Sequence, residues 1–224
     1  AMVYFGEDAQ LEVQGGLTIS GEPDRRATLT RLPGSSHRWR GIRWIDSTQA
    51  NRLDHVNISS VTADTAAVQA EGSRLELSHV AFQDLIGAAI EYSNSALVTS
   101  SCSFEVSATE TGAAVSIVTG SGFAGDDHVV FRGNHFPATD RAAPVFVFDG
   151  QDQLGGWLEL RGNRFLGGAR EALKLSGCNS FLWENRFQNF RHPESPAQRA
   201  AAVSISGTST GAWPSTVLAC NRLG

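Results

Sequence analysis

Residues 157–168 read WLELRGNRFLGG, and residues 180–190 read SFLWENRFQNF. Both stretches contain Asn-Arg-Phe, and the two asparagines stand 22 residues apart. Related elements extend the recurrence to four asparagines, with Asn134-His135-Phe136 upstream and Asn221-Arg222-Leu223 downstream of these two. Recurrence at this interval indicates a repeat architecture, in which each repeat buries its apolar side against its neighbours.

Six further segments show the alternating in–out pattern of β-strands. Their apolar second positions lie 22 to 30 residues apart: Val68, Ile90, Val115, Val145, Leu173 and Val203. Helical solenoids fit poorly, because Gly, Ser, Thr, Asn and β-branched residues dominate. Three short strands in a turn of 22 residues are the minimum coil of a parallel β-helix.

The predicted fold is therefore all-β, a right-handed single-stranded parallel β-helix of about seven coils with three short strands each. Successive coils are expected to stack about 4.8 Å apart. The first strands of the coils are predicted at eight places: 11–14, 42–45, 67–71, 89–93, 114–118, 144–148, 172–176 and 202–206.

The Asn-x-Phe element is predicted to form a corner between the second and third strands of each coil. Asparagine tolerates the left-handed αL conformation better than most residues, and its amide can hydrogen-bond to the amide on the next coil. The Phe is expected to point inward and stack on the Phe of the next coil. The pattern stops below Asn134, where Cys102, Val80 and Val56 occupy the asparagine position.

The chain resembles the right-handed parallel β-helix superfamily, which includes pectate lyases, polygalacturonases and phage tailspikes. Residues 4–30 (YFGEDAQLEVQGGLTISGEPDRRATLT) and 39–58 (WRGIRWIDSTQANRLDHVNI) are most similar to bacterial extracellular β-helix domains. Arg40 departs from the Trp-Gly-Gly-Ile pattern of that group. The resemblance implies an extracellular, cell-surface or periplasmic location. It also implies one β-helix domain over residues 1–224 of a larger protein, whose neighbouring domains are partners.

Charge and composition narrow the classes of function. The net charge is −5, so no nucleic-acid partner is expected. No apolar run approaches the roughly 20 residues that span a bilayer, so no membrane insertion is expected. The three cysteines fit no zinc motif, and small buried thiols are the expected state.

Catalytic residues are sought on the outer face of the first strands, because the resemblance places substrate there. The predicted outward column is Glu12, Arg43, Gln69, Glu91, Ser116, Phe146, Lys174 and Ser204. The acid clusters of pectate lyases and polygalacturonases are absent. The remaining candidate carboxylates are Glu91, with Asp149, Asp152 and Glu171 on nearby loops. No cofactor is expected, with Ca²⁺ at Asp149 and Asp152 as the alternative.

Two histidines, His55 and His79, occupy the same position of a Leu-x-His-Val motif in successive repeats. A stacked pair could hold a metal or sense pH. The alternative is an ordinary hydrogen bond at a turn.

Outward-facing aromatic and basic residues form the predicted binding set: Arg132, Arg161, Phe181 and Trp183, with Lys174 on the first-strand column. A flat Trp-Phe pair beside arginines suits sugar stacking, cation–π contacts or a protein interface. The alternative is that residues 188–200 fold over it.

Three functions follow from these patterns. The first is a non-catalytic extracellular β-helix domain, acting as a rigid scaffold, adhesin or polysaccharide-binding element of a larger bacterial surface or secreted protein. The second is a polysaccharide lyase or glycoside hydrolase acting on an acidic polysaccharide. The third is a tailspike-like trimeric receptor-binding protein. The missing acid clusters favour the first, with a polysaccharide or a cell-surface protein as partner.

Overall fold

The computed structural model describes residues 1–106, 112–119, 128–138, 143–150, 157–168, 170–192, 195–199, 202–207 and 215–224. These residues wind into a right-handed parallel β-helix with three strands in each coil, which confirms the predicted fold class. Corresponding strands of successive coils pair in parallel, and they form three sheets along the stack. We name the sheets after the position of their strands in the coil.

The first-strand sheet contains eight strands in the described residues. They are Leu11–Val13, Ile42–Ile45, Val68–Glu71, Ile90–Ser93, Val115–Val118, Phe146–Asp149, Leu173–Ser176 and Val203–Ser206. The second-strand sheet also contains eight in that part of the chain. They are Thr18–Ser20, Asn51–Asp54, Arg74–Ser78, Ala96–Ser100, His128–Arg132, Trp157–Arg161, Asn179–Trp183 and Thr216–Ala219.

The third-strand sheet contains nine strands in the same described ranges. They are Met2–Phe5, Ala27–Arg31, Val56–Ser59, Ala81–Leu85, Ser103–Val106, His135–Phe136, Arg164–Phe165, Arg186–Phe187 and Arg222–Leu223. A separate antiparallel pair joins Arg191–His192 to Ser195–Arg199. The described residues contain no helix of the length and apolar character needed to cross a bilayer.

Strand register agrees with the predicted repeat at five of the six aligned positions and differs at one. Val115 pairs with Phe146 and not with Val145, so the predicted outward residue Phe146 is wrong. Phe146 is fully buried, and Val147 takes its place on the outer column. Residues 145–148 read VFVF, a run without alternation, so the sequence alone cannot fix which side chains face inward.

The core is a set of columns that run along the stack, one buried side chain per coil. The clearest column is made of rings stacked 4.5–5.0 Å apart: Phe82, Phe104, Phe136, Phe165 and Phe187. All five are buried, as the Asn-x-Phe pattern predicts for Phe136, Phe165 and Phe187, and Phe82 and Phe104 continue the column where the asparagine is replaced. Each ring therefore removes its apolar area from water by contact with the coils above and below it.

The four predicted asparagines line up along one corner of the stack. Asn134 donates through its side-chain Nδ2 to Asn163 Oδ1 at 3.0 Å, and the same bond joins Asn163 to Asn185 at 2.9 Å. Asn185 repeats the bond to Asn221 at 3.0 Å. Each acceptor oxygen also receives the backbone N–H of the coil below. The amides thus satisfy buried backbone groups at a turn.

The αL residue at this corner is the one before the asparagine, which corrects the predicted role of Asn. Positive φ occurs at His55, His79, Ser101, Gly133, Gly162, Glu184 and Cys220. One αL residue therefore comes before the corner residue in every coil from His55 upward. The corner residues are Val56, Val80, Cys102 and the four asparagines, whose bonded amides we call the asparagine ladder. Below Asn134 the ladder ends on Cys102, whose backbone N–H donates to Asn134 Oδ1 at 2.9 Å.

A second ladder lies at the corner between the first and second strands of the lower coils. The backbone N–H of Ser47 donates to Ser73 Oγ, and that of Ser73 donates to Ser95 Oγ, both at 3.0 Å. All three serines are buried. The residues before them again have positive φ: Asp46, Gly72 and Asn94. The sequence shows this ladder as Asp-Ser, Gly-Ser and Asn-Ser.

All three cysteines are free thiols, and the expected burial is confirmed for Cys102 and Cys178 but is wrong for Cys220. Cys102 and Cys178 are buried, whereas Cys220 is exposed. Burial raises the pKa of the Cys102 and Cys178 thiols to about 12. Both therefore stay protonated at neutral pH, and neither is a nucleophile.

Candidate functional site

The outward face of the second-strand sheet carries the predicted aromatic pair. Alternation sends Leu160 and Leu182 into the core, so Phe181 and Trp183 point outward as predicted. Their rings lie 5.7 Å apart at an interplanar angle of 19°, and both side chains are half-buried. The Nε1 of Trp183 is buried and has no hydrogen-bond partner among the described residues. The pair forms a flat apolar surface.

The predicted arginines stand directly below Trp183. Arg132 pairs with Arg161, and Arg161 pairs with Trp183, on three successive coils. Arg132 binds Glu159 through two hydrogen bonds of 3.1 and 3.2 Å, so most of its charge is neutralised locally. The ion pair of Arg161 with Glu184 is weaker, because the two groups are 3.9 Å apart and both side chains are more than half exposed. Arg161 is therefore the better placed of the two to meet a ligand.

Further apolar side chains extend this face, and the sequence analysis did not single them out. Val98, Trp157 and Val217 are each about two-fifths to one-half exposed. Val98 and Val217 belong to the same outward column as Phe181. Period-two alternation marks them as outward, but it cannot distinguish an apolar surface residue from a covered one.

Around the asparagine corner, a column of arginines occupies the third-strand sheet. Arg164, Arg186 and Arg222 pair with one another on successive coils, and all three are exposed. Among the described residues, none of the three guanidinium groups has an ion pair or a hydrogen bond. They line a cavity of about 540 Å³ together with Glu184 and Cys220.

We call Arg161, Arg164, Arg186, Arg222 and Trp183 the arginine corner. Three of its arginines are the middle residues of the recurring Asn-Arg-Leu/Phe element, so the sequence did contain the signal. The element was interpreted only through its asparagine and its apolar residue. With one acidic residue, Glu184, in the cavity, the corner is positively charged on a protein whose net charge is −5.

The outer face of the first-strand sheet holds a second groove, of about 390 Å³. Glu91 lies in it, as expected from its outward column, and accepts a 3.2 Å hydrogen bond from Gln69. Glu71, which the sequence analysis did not single out, also lies there, with its carboxylate 3.6 Å from Arg43. Burial raises the pKa of Tyr92 well above its ordinary value, and its hydroxyl has no hydrogen-bond partner in the described residues.

The other candidates of this face do not converge on Glu91. Asp149 lies two coils away, about 10 Å by the stacking distance, and its Oδ1 accepts a 3.0 Å hydrogen bond from Ser176. Lys174 and Glu171 belong to a coil three steps from Glu91, about 14 Å. Asp152 lies outside the described residues, and so does its proposed pairing with Asp149 around Ca²⁺.

His55 and His79 stack at the corner between the second and third strands, as their matching positions predict. Their ring centroids are 4.3 Å apart, with 13° between the planes. Asp54, missed in the sequence, completes the group through Oδ1, and these three are the metal-compatible cluster found in the described residues. Burial raises the pKa of Asp54, but the charges of His55 and Arg52, together with the imidazole N–H groups of His79 and His55, outweigh burial, and the net pKa is lowered.

A third cavity, of about 460 Å³, opens beside the third-strand sheet. Arg38 donates to Asp84 Oδ1 at 2.8 Å at its rim, and Phe104 and Phe136 form part of its wall. We assign it no role.

Comparison with protein-family models, with curated proteins and with solved structures finds no match to this chain.

Proposed function

We propose that this chain is a non-catalytic β-helix domain that binds an acidic polysaccharide at the arginine corner. We place it with the non-catalytic extracellular members of the right-handed β-helix superfamily. A larger bacterial surface or secreted protein would carry it as a rigid binding element.

The observation that carries the proposal is the column of Arg164, Arg186 and Arg222. Like charges on adjacent strands repel one another, so a column of three is destabilising unless something anionic neutralises it. Guanidinium groups bind carboxylates and sulfates through paired hydrogen bonds. The coil spacing of about 4.8 Å repeats the donor along the stack, which suits a polymer with an anionic group on each unit.

The aromatic pair supplies the second part of the site. Trp183 is the neighbour of Arg161 across the sheet, and Phe181 stacks beside it. An apolar ring face next to guanidinium groups can contact the C–H face of a sugar while the arginines hold its charge. This combination favours a charged polysaccharide over a simple anion.

The test is binding of polygalacturonate, dextran sulfate and neutral dextran, measured by isothermal titration calorimetry. Wild-type protein should bind the two anionic polymers and not neutral dextran, and added salt should weaken binding. The double variant R164Q/R186Q should bind at least about tenfold more weakly, a loss of about 1.4 kcal/mol.

The matched control is R25Q, which removes an exposed arginine from a turn near the other end of the stack. It should bind like wild type. Equal losses in R25Q and R164Q/R186Q would show a net-charge effect and contradict the proposed site. Absence of binding to both anionic polymers by the wild type would contradict the function.

A second candidate function rests on the first-strand groove. Glu71 and Glu91 lie on adjacent strands, offset by two residues, which places their backbones roughly 7–8 Å apart. Inverting glycosidases hold two carboxyl groups about 6.5–9.5 Å apart, and outward side chains on backbones at this spacing can bring Glu71 and Glu91 into that range. Release of reducing ends from the same polymers, abolished in E91Q, would replace the binding proposal with a glycoside hydrolase.

A further inference from the structure

The corner of the lower coils gathers three metal-ligating side chains that the proposed polysaccharide site does not use. Asp54 ends a second strand, and His55 follows it with φ of +51°. His79 occupies the same place one coil further along, with φ of +52°. The shared αL geometry directs both imidazoles outward and stacks them, with Asp54 beside them.

The Asp54 carboxylate points at both histidines. Its Oδ1 lies 2.9 Å from His55 Nδ1 and 3.5 Å from His79 Nδ1. That oxygen is buried, yet it has no aligned hydrogen-bond donor among the described residues. A buried carboxylate oxygen that lies close to two imidazole nitrogens, with neither N–H aligned on it, is the arrangement that a cation would complete.

We propose that Asp54, His55 and His79 form a binding site for a divalent transition metal of the Zn²⁺ class. Metal–ligand bonds of about 2.0–2.1 Å in a tetrahedron set ligand atoms about 3.3 Å apart. The two oxygen–nitrogen separations bracket that value, and all three ligand atoms lie within 4.8 Å of one another. Two imidazoles and one carboxylate select Zn²⁺, Cu²⁺ or Ni²⁺ over Ca²⁺, which prefers six or more oxygens.

The surroundings support one carboxylate orientation and leave one coordination position open. Arg52 donates to Asp54 Oδ2 at 3.2 Å, which leaves Oδ1 for the metal. The side chain of His79 is 45% exposed, so water can reach the site as a fourth ligand. Ser78 Oγ lies 2.9 Å from His79 Nδ1, and a metal bound at that nitrogen would displace this contact.

The position of the site gives the metal a structural consequence. Asp54 and His55 belong to one coil and His79 to the next, so one ion would link two coils that strand pairing already joins. Because the unfolded chain does not hold these ligands together, binding raises the melting temperature.

The experiment titrates tag-free, chelator-treated protein with ZnCl₂ by calorimetry near neutral pH. Saturable binding of one Zn²⁺ per chain is expected, with no binding of CaCl₂, and Zn²⁺ should raise Tm. The variants H55N and H79N should each bind Zn²⁺ at least roughly tenfold more weakly. Asparagine is chosen because it tolerates the αL backbone of both positions.

His37 provides the control, since it contacts Glu7 at 2.7 Å on an exposed surface elsewhere. H37N should bind Zn²⁺ like wild type. Unchanged Zn²⁺ affinity in both H55N and H79N, or equal binding of Ca²⁺ and Zn²⁺, would overturn the proposal. Matching circular dichroism spectra of metal-free wild type and variants exclude misfolding as the cause of a loss.

Discussion

At the residue scale, the corner between the second and third strands depends on two neighbouring positions with different roles. Gly133 and Gly162 adopt the left-handed backbone, and Asn134 and Asn163 follow with buried amides. From the sequence alone both tasks are predicted for the asparagine, because Asn is a non-glycine residue that tolerates αL geometry. The ladder position was predictable from its recurrence, whereas the αL position varies too much in sequence to be recognised: His, Ser, Gly, Glu and Cys all occupy it.

Cys102 marks the lower end of the asparagine ladder, and its replacement tests how the ladder works. Asn163 Nδ2 donates to Phe131 O at 2.9 Å, and Leu77 O is the equivalent oxygen below Cys102, 3.5 Å from Sγ. In C102N, the new amide should donate to Leu77 O and to Asn134 Oδ1. The bond to Leu77 O replaces the existing contact of the thiol, so the net gain is one buried hydrogen bond, and C102N should raise the free energy of unfolding by about 1 kcal/mol.

Urea unfolding measures this change, with C102S as the control, because a serine fills the site but cannot reach the next amide. C102S should show no gain over wild type. A C102N protein less stable than C102S would contradict the ladder geometry.

Asp84 is predicted to make stability depend on pH. Burial raises the pKa of Asp84. Hydrogen bonds from Arg38 and Ser60, with the charges of Arg38 and Arg31, lower that pKa by more than burial raises it, so the folded pKa lies below the ordinary one. The ionised form is therefore favoured by folding. Its contribution is present above the unfolded pKa and is lost as pH falls through the folded pKa.

The variant D84N should be less stable than wild type at neutral pH by at most about 1 kcal/mol, because the ion pair is half exposed. The difference should shrink toward zero as pH falls below the ordinary aspartate pKa, about 3.9, and through the lower folded value. Asp84 has φ of +48°, which Asn also tolerates, so backbone strain does not confuse the comparison. A difference that is the same at both pH values would contradict the role of the charge.

At the element scale, alternation predicted most faces of the strands correctly and failed at Phe146. In a strand buried on one side, apolar inward residues alternate with polar outward ones, so the inward residues can be recognised from the sequence. Residues 145–148 offer no polar neighbour, so the inward face is set by pairing with Val115 and Leu173, which a local pattern does not contain. A local pattern also could not predict the arginine column, because outward residues vary freely in sequence. The column becomes evident only when strands of successive coils are paired.

Replacement of Trp183 by alanine tests whether the outward aromatic pair binds the ligand. W183A should lose about 1 kcal/mol of stability, the value of one aromatic contact with Phe181. Its affinity for dextran sulfate should fall by about tenfold, a loss of 1.4 kcal/mol. Thermal unfolding and calorimetry measure the two effects.

Trp157, also exposed on this sheet, is the control, and W157A should bind like wild type. A loss of several kcal/mol in W183A, with binding retained, would mean that Trp183 is packed beneath other residues and does not meet the ligand.

At the scale of the whole molecule, each coil contacts only the coils next to it, so the stack should tolerate removal of one complete turn. Deletion of residues 164–185 joins Asn163 to Arg186 and restores the Asn-Arg-Phe element. Phe136 would then stack on Phe187, and the three sheets would keep their register. The shortened protein should fold, with a β-rich circular dichroism spectrum and a single unfolding transition.

Deletion of residues 164–174 is the control, because it removes part of a turn and shifts every later side chain out of its column. That protein should not fold. If both deletions fold equally well, or neither folds, the coils are not the independent units that the architecture describes.

The asparagine ladder also has a direction. Asn134, Asn163 and Asn185 each donate one N–H to the Oδ1 of the asparagine on the next coil, so these three bonds all run toward Asn221. The aligned amide dipoles therefore add head to tail along this part of the corner, and its two ends, at Cys102 and at Asn221, differ chemically.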